Sequence, residues 1–170
     1  VDATVKGDRV VGVNYPDFLN DIEVGAIILI DNGLIRMKVL NKTESVAECE
    51  VDIGGTMGSR RHINLPGTKV SLPALTEKDR RDVALGLELG VDYLALSFVR
   101  EAADVEELQA LIHAGDHPTK VVAKIEDQHA VKRIRRIIKV ADAIMVARGD
   151  LGVECPYEEL PIIQRHIVRE

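Results

Sequence analysis

Apolar runs that alternate with helical segments dominate the second half of the sequence. Near-continuous apolar runs occupy residues 91–99, 120–125 and 143–147, and amphipathic stretches lie between them. Runs of this kind are typical of parallel strands that are joined through helices. Such βα units are right-handed, and three of them cannot close an eight-stranded barrel. The pattern therefore predicts an α/β fold, and it leaves open a small open sheet or a segment of a barrel.

The predicted helices have recognisable ends. Thr76 precedes Glu77 and is followed at the third helical position by Asp79, which is typical of a capped helix start, and Gly90 is suited to ending that helix. Residues 101–113 and 128–139 carry apolar side chains at helical spacing. A last helix is expected to begin within 158–161, because proline is tolerated in a first turn.

A different pattern fills the residues before Asn64. Short apolar runs at 10–13, 26–30, 34–39 and 46–51 are interrupted by turn signals. Asn32 and Gly33 form a dipeptide that favours a tight hairpin turn. The sequence therefore predicts a small antiparallel β domain over residues 1–66, followed by the α/β part over residues 67–170.

Composition narrows the class of protein. The net charge of −6 argues against nucleic acid or an anionic membrane as a partner. No apolar run approaches the ~20 residues of a membrane span, and the polar residues 1–6 do not have the pattern of a signal peptide. Cys49 and Cys155 are far apart in the sequence, so we expect reduced thiols in a cytoplasmic protein. The five scattered histidines predict no zinc site.

Charged residues stand where two of the predicted strands end. Lys124 and Glu126 close the strand at 120–125, and Asp150 follows the next strand. Charges in such places are costly unless they have partners. Alternation along a strand puts Lys124 and Glu126 on one face, and parallel strands end at a common rim. We therefore expect the three side chains to lie close together.

These residue types indicate phosphate or enolate chemistry. Glu126 and Asp150 suit a divalent cation such as Mg²⁺, with water and substrate oxygens completing its shell. Lys124 is suited to stabilising charge on a transferring phosphoryl group or on an enolate. Ser97, at the end of the preceding strand, either lines this site or caps the next helix. The alternative is a structural one, a buried Lys–Glu pair with an aspartate as helix cap.

Five segments carry a resemblance to a known family. They stand in the family's order and approximate spacing: Asn64-Leu65-Pro66-Gly67, Leu72-Pro73-Ala74-Leu75-Thr76-Glu77-Lys78-Asp79, Ser97-Phe98-Val99-Arg100, Lys124-Ile125-Glu126 and Ala147-Arg148-Gly149-Asp150-Leu151-Gly152-Val153-Glu154. On these residues the chain resembles the pyruvate kinases, and the resemblance extends over essentially the whole sequence. It implies that residues up to about 65 are most of a mobile lid domain. The remainder would be the middle units of a (β/α)8 TIM barrel.

The resemblance also implies an activity and its site. The family transfers the phosphoryl group of phosphoenolpyruvate to ADP in glycolysis, giving pyruvate and ATP, with Mg²⁺ or Mn²⁺ and usually K⁺. Lys124 matches the lysine that stabilises the moving phosphoryl group, and Glu126 and Asp150 match the metal ligands. The resemblance also implies that the substrate-binding residues are the segment that follows the strand at 143–147, together with a serine at the end of the strand at 91–99: Ala147, Arg148, Gly149, Asp150 and Ser97. Asp31 falls in the lid, and the K⁺ site falls outside this chain.

The sequence departs from the family at three places. Asn32 stands where the family usually has a second aspartate, and Arg61 with His62 stands where it commonly has Lys-Gly. Residues 127–130, Asp-Gln-His-Ala, replace the usual Asn-x-Glu-Gly. These differences leave Lys124, Glu126 and Asp150 unchanged.

The resemblance implies further barrel strands and a regulatory domain that this sequence does not include. A catalytic site needs its supporting residues in place, so we expect the isolated chain to lack useful kinase activity and to self-associate. The complete enzyme is expected to be a homotetramer. Two other functions are considered: a metal-dependent aldolase or lyase acting on pyruvate enolates, and a truncated, non-catalytic interaction module.

Overall fold

The structure, a computed structural model, describes residues 10–170, which form two compact units. The units divide between Ser71 and Leu72, a few residues after the predicted boundary. The first unit holds an antiparallel sheet and the second a parallel sheet with helices. The α/β class with these two kinds of sheet is therefore confirmed. The polar segment at residues 1–6 lies outside the described part.

The first unit is built on four strands. A short helix α1 (Phe18–Asp21) precedes β1 (Ile27–Ile30), β2 (Ile35–Lys42), β3 (Ala47–Ile53) and β4 (Ile63–Asn64). The strands are antiparallel and lie in the order β3-β2-β1-β4. One predicted run is not a strand: residues 10–13 have no regular structure, and Val10 and Val11 are largely exposed. An apolar run forms a strand only where a neighbouring strand supplies hydrogen bonds and cover.

The β1–β2 hairpin is wider than predicted. Ile30 pairs with Ile35, so the loop has four residues rather than the two of a tight Asn-Gly turn. Asp31, Asn32 and Gly33 all adopt positive φ, at 55°, 57° and 85°. Aspartate and asparagine tolerate this left-handed region better than most residues, and glycine enters it freely. Asp31 and Leu34 are the two additional loop residues, and the Asn-Gly dipeptide does not reveal them.

Side chains fasten the two ends of the first unit together. The Asp21 carboxylate accepts a hydrogen bond from the Tyr15 hydroxyl, and it accepts bonds of 2.7 Å from both the N–H and the Oγ of Ser71. Lys42 donates from Nζ to the carbonyls of Leu19 and Ile22, at 3.1 and 2.6 Å, and so caps the end of α1. These contacts join residues that are distant in sequence, so they close the unit around its apolar core.

The second unit repeats strands and helices in the predicted order. Its elements are α2 (Glu77–Glu88), β5 (Tyr93–Leu96), α3 (Ala102–Ala114), β6 (Lys120–Ile125), α4 (Gln128–Val140), β7 (Ala143–Val146), α5 (Arg148–Glu154) and α6 (Leu160–Arg169), with a 3-10 helix over Tyr157–Glu159. The strands are parallel and lie in the order β5-β6-β7. The predicted strands and long helices are confirmed, whereas α5 was not predicted.

Both predicted ends of α2 are confirmed. The Asp79 N–H donates to Thr76 Oγ1 at 3.2 Å, and the Thr76 N–H donates to Asp79 Oδ2 at 2.8 Å, which together make a capping box. At the other end Gly90 has φ of 71°. The N–H groups of Gly90 and Val91 bond back to Leu87 and Gly86, the pattern of a Schellman motif.

Helices cover only one face of the parallel sheet in the described part of the chain. Val121, Ala123 and Ile125 of β6 are fully buried in a core that also takes residues from α2, α3, α4 and α6. The residues between them, Val122 and Lys124, point to the other face and are only partly buried. Exposed side chains of the flanking strands mark the same face. We call this the open face of the sheet.

Removing the cap of α2 should lower the free energy of unfolding and make it less sensitive to pH in the acidic range. Hydrogen bonds from the side chain and backbone of Thr76 lower the pKa of Asp79. The bonded carboxylate therefore stabilises the fold above the ordinary pKa of about 3.9, and this stabilisation is lost as pH falls through the lower folded pKa. Thr76→Ala should reduce the free energy of unfolding by about 1 kcal/mol at neutral pH, and by less in acid. Urea unfolding at both pH values measures this, with the exposed Thr56→Ala as control.

The Tyr15 hydroxyl should make stability fall in strong base. Burial, and then the hydrogen bond to Asp21, raise the pKa of Tyr15. A raised folded pKa stabilises the fold fully below the ordinary value of about 10, and the effect is lost as pH rises through the folded pKa. Tyr15→Phe should reduce the free energy of unfolding by about 1 kcal/mol at neutral pH and weaken its decline above pH 10. Tyr157 is 79% exposed, so Tyr157→Phe is the control, and equal behaviour of the two variants would contradict this account.

Candidate active site

A charged pair lies where β6 ends. Lys124 Nζ is 2.6 Å from Glu126 Oε1, and the Glu126 side chain is 2% exposed while that of Lys124 is 24% exposed. The two residues are neighbours on the open face because side chains alternate along a strand. Taking a carboxylate out of water is costly unless it is paired and hydrogen-bonded. The pair is therefore needed for the burial of Glu126.

The second carboxylate oxygen is bonded from the neighbouring strand. The backbone N–H of Phe98, just after β5, donates to Glu126 Oε2 at 2.9 Å. Phe98 has a positive φ of 54°, although the residue is 56% exposed. No role for Phe98 was predicted from the sequence, because a backbone N–H donor does not depend on residue type. Both oxygens of Glu126 therefore have donors within the protein.

Ser97 contacts Lys124. Ala95 of β5 is aligned with Val122 of β6, so Ser97 and Lys124, each two residues further on, lie at the same level of the sheet. Lys124 donates from Nζ to Ser97 Oγ at 2.8 Å. The alternative role of Ser97 as a helix cap is wrong, since Glu101 and Asp104 form the capping box of α3. Ser97 lies at the rim with the charged pair.

The segment after β7 lies beside the end of β6. The Ala147 N–H donates to the carbonyl of Ile125 at 3.1 Å, which extends the parallel pairing to the residue before Glu126. Arg148, Gly149 and Asp150 form the first turn of α5 and are exposed. The structure thus brings Ser97, Lys124 and Glu126 into direct contact, and it puts Asp150 at the same end of the sheet in a separate, exposed position.

Two contacts position α5, a helix that was not predicted from the sequence. Leu151 is fully buried, and the Gln128 side chain of α4 donates to the carbonyl of Glu154 at the other end of the helix. Residues 149 and 152 are glycines, and glycine usually weakens a helix. The buried Leu151 outweighs this preference. Its apolar side chain between two glycines was the available signal.

The carboxylates at this rim suit Mg²⁺ better than a metal ion whose ligands all come from protein side chains. Within residues 10–170, no group of three or more His, Cys, Asp or Glu side chains is gathered around a common point. Mg²⁺ typically binds one or two carboxylates and completes its shell with water and substrate phosphate. A carboxylate has about four lone-pair positions, so Glu126 retains acceptor capacity beside its two protein donors. The carboxylates of Glu126 and Asp150 are chemically suited to such a cation.

Asp31 is held inside the first unit. Its carboxylate forms an ion pair of 3.3 Å with Arg61 Nη1, and its N–H donates to the carbonyl of His62 at 3.0 Å. Asp31 therefore fixes the β1–β2 loop against the segment before β4. A contact between Asp31 and a substrate stays a prediction.

The two cysteines are free thiols. Burial raises the pKa of both Cys49 and Cys155, and neighbouring carboxylates raise it further. Thiols of this kind are poor nucleophiles at neutral pH, so neither is a candidate catalytic residue.

None of the helices in residues 10–170 has the length and apolar character that crossing a membrane requires.

The sequence of this chain is similar to those of known proteins. Residues 1–170 match the family described as pyruvate kinase, barrel domain. The chain is 42% identical over 165 residues to pyruvate kinase isozyme G, chloroplastic, of Nicotiana tabacum, covering 97% of this chain and 29% of the tobacco protein. It is 43% identical over 159 residues to plastidial pyruvate kinase 3, chloroplastic, of Arabidopsis thaliana, covering 94% and 28%. It is 43% identical over 163 residues to the pyruvate kinase of Geobacillus stearothermophilus, again covering 94% and 28%.

The chain spans less than a third of the length of these three relatives. The residues that match the family model include Ser97, Lys124, Glu126 and Asp150. This chain belongs to the pyruvate kinase family.

Proposed function

We propose that this chain supplies the phosphoryl-transfer centre of an enzyme that converts phosphoenolpyruvate and ADP into pyruvate and ATP. The observation that carries the proposal is the Lys124 ammonium, which is held at the end of β6 between Glu126 and Ser97. Family membership supplies the reaction, and this contact supplies a positioned cation where the reaction needs one. The aldolase hypothesis loses its support, because the family that matches is the kinase family.

The fold is proposed to be part of a (β/α)8 barrel. Helices cover one face of the parallel sheet, as they do around a barrel, whereas an open doubly wound sheet carries helices on both faces. The open face would then be the barrel interior, and the ends of β5, β6 and β7 would form part of its catalytic rim. The first unit, with Asp31, is proposed to be the family's lid domain.

Lys124 is proposed to stabilise the transferring phosphoryl group. That group spreads negative charge over three oxygens while its bonds to the donor and acceptor are weak. A cation that is already oriented stabilises this charge without further reorganisation. The Lys124 side chain is 24% exposed, so the ammonium is accessible to a ligand from the open face. The same charge would stabilise the enolate of pyruvate that is formed when the phosphoryl group leaves.

Glu126 and Asp150 are proposed to hold Mg²⁺. When bound, the cation would neutralise negative charge on the phosphoryl and carboxylate oxygens of the substrate. The K⁺ that the family usually requires would bind outside this chain. The protein's own contribution is to hold the Glu126 carboxylate in a fixed orientation, through Lys124 and the Phe98 N–H, before the cation arrives.

The first turn of α5 is proposed to bind the substrate. Apart from the chain neighbours of Gly149 and the backbone of its own helix, no described atom lies within 4 Å of the position that a Cβ would occupy on Gly149, so a ligand can approach the backbone closely there. Ala147 fixes the start of this turn through its bond to Ile125, and Arg148 adds an exposed positive charge. A carboxylate or phosphate would be complementary to this charge and to the backbone N–H groups.

Location and assembly stay predictions. A cytoplasmic enzyme is expected from the reduced cysteines, although the tobacco and Arabidopsis relatives carry plastid names. The homotetramer of the complete enzyme and the self-association of this chain are likewise proposals, as is the absence of kinase activity in the isolated chain.

A hybrid enzyme tests the reaction. The matching stretch of the Geobacillus enzyme is replaced by this chain, and pyruvate formation from phosphoenolpyruvate, ADP and Mg²⁺ is measured. The hybrid should be active, and Lys124→Met should lower its kcat about a hundredfold to a thousandfold. Lys120→Met, at the opposite end of β6, is the matched control and should leave kcat unchanged. A folded hybrid without activity would contradict the proposal and favour the non-catalytic interaction module.

Metal binding tests the two carboxylates separately from the reaction. Mn²⁺ is titrated into the 170-residue chain and followed by electron paramagnetic resonance. Glu126→Gln and Asp150→Asn should each weaken binding roughly tenfold or more, because each removes a charged ligand. Asp92→Asn, at the other end of the sheet, is the control and should bind Mn²⁺ as the unaltered chain does. Equal affinity in all the variants would remove the metal assignment.

A further inference from the structure

One short turn contacts both members of the charged pair. It consists of Ser97 and Phe98, directly after β5, and we call it the β5 turn. Its serine accepts a hydrogen bond from Lys124, and its next N–H donates to Glu126. Residues of β6 are thus oriented by a neighbouring strand. A function for the β5 turn follows from what each of these two bonds does.

The bond to Ser97 limits where the Lys124 ammonium can be. A lysine side chain has four flexible carbons, so a single contact with the carboxylate of Glu126 would leave the ammonium free to change its orientation. Ser97 Oγ at 2.8 Å and Glu126 Oε1 at 2.6 Å are two acceptors, one on each of two adjacent strands. An ammonium has three donors. Two acceptors orient the group and leave its third donor for an oxygen of a ligand.

The backbone of the turn carries strain that this geometry explains. Phe98 has a φ of 54°, in the left-handed region that is unfavourable for a residue with a side chain. Burial of the side chain does not compensate, because Phe98 is 56% exposed. Such strain persists where surrounding contacts impose it, and it is concentrated at functional sites. Here the conformation aims the Phe98 N–H at the buried carboxylate of Glu126.

We propose that Ser97 is a positioning residue for Lys124. Its hydroxyl holds the ammonium in the orientation that directs one N–H to a phosphoryl oxygen, and it does not itself need to contact the substrate. The inference rests on the proposed function for the identity of the ligand. The held ammonium is a property of this chain alone and can be measured without any reaction.

Lysine ammonium NMR on the full 170-residue chain tests the contact. In the unaltered chain the Lys124 ammonium should give a separate, slowly exchanging signal. Ser97→Ala should speed its exchange with solvent about fivefold to tenfold, the effect of losing one hydrogen bond. Ser97→Thr keeps a hydroxyl and should restore the signal.

A matched control separates positioning from general stability. Thr119 donates from Oγ1 to the Val91 carbonyl at 2.8 Å and lies at the opposite end of the same sheet. Thr119→Val removes a comparable bond and should leave the Lys124 signal unchanged. The proposal is overturned by a signal that survives in Ser97→Ala, by one that is lost equally in Thr119→Val, or by a Lys124 ammonium that already exchanges freely in the unaltered chain.

The hybrid enzyme then shows whether the orientation matters for the reaction. Ser97→Ala should lower kcat about tenfold, while KM for phosphoenolpyruvate changes little, because the missing bond orients the cation rather than binding the substrate. Ser97→Thr should recover most of kcat. A rise in KM at unchanged kcat would overturn the positioning role and assign Ser97 to substrate binding. A hybrid that is inactive even with Ser97 contradicts the proposed function, and the ammonium measurement is unaffected by that failure.

Discussion

The buried carboxylate of Glu126 is the constraint on which the geometry of the second unit's rim depends. A carboxylate that is 2% exposed requires both a counter-charge and hydrogen-bond donors, since unpaired burial would cost several kcal/mol. Lys124 supplies the charge from the same strand, and the Phe98 N–H supplies a donor from the next one. The ends of β5 and β6 are therefore held in register by a polar contact, beyond the point where the regular strand pairing stops.

Strand alternation separates the stabilising residues from those proposed to act in chemistry. Val121, Ala123 and Ile125 fill the core beneath the helices. Because side chains alternate along a strand, Lys124 points to the open face. Packing of the apolar side chains fixes the position of β6, and the position of β6 determines where the Cα of Lys124 lies. A substitution on the covered face would therefore displace the charged pair indirectly. Neighbouring strands add Ser97 and Ala147 at the same rim because their registers with β6 are fixed in the same way.

Features set by local sequence could be predicted, and features set by distant contacts or backbone conformation could not. Thr76, Asp79 and Gly90 act on their own helix, so their types alone indicate the capping box and the Schellman motif. The pairing of Lys124 with Glu126 follows from strand alternation. In contrast, helix α5 depends on a buried Leu151 and on a bond from Gln128, and the bond from Phe98 depends on a positive φ that nothing in its side chain favours. The hairpin loop was mispredicted for a related reason, because Asp31 joins the left-handed residues through its contacts with Arg61 and His62.

The departures from the family pattern have local structural roles in this chain. Asp127 caps α4, accepting a hydrogen bond of 2.7 Å from the Ala130 N–H, and aspartate is as good a cap as the asparagine it replaces. Arg61 pairs with Asp31, so this departure adds a contact to the loop in which Asn32 replaces an acid. Asn32 is uncharged and adds no repulsion beside the Asp31 carboxylate in this loop of consecutive left-handed residues. Asp127 and Arg61 thus support the segments in which they lie, while Lys124 and Glu126 form the pair on which the proposed chemistry depends.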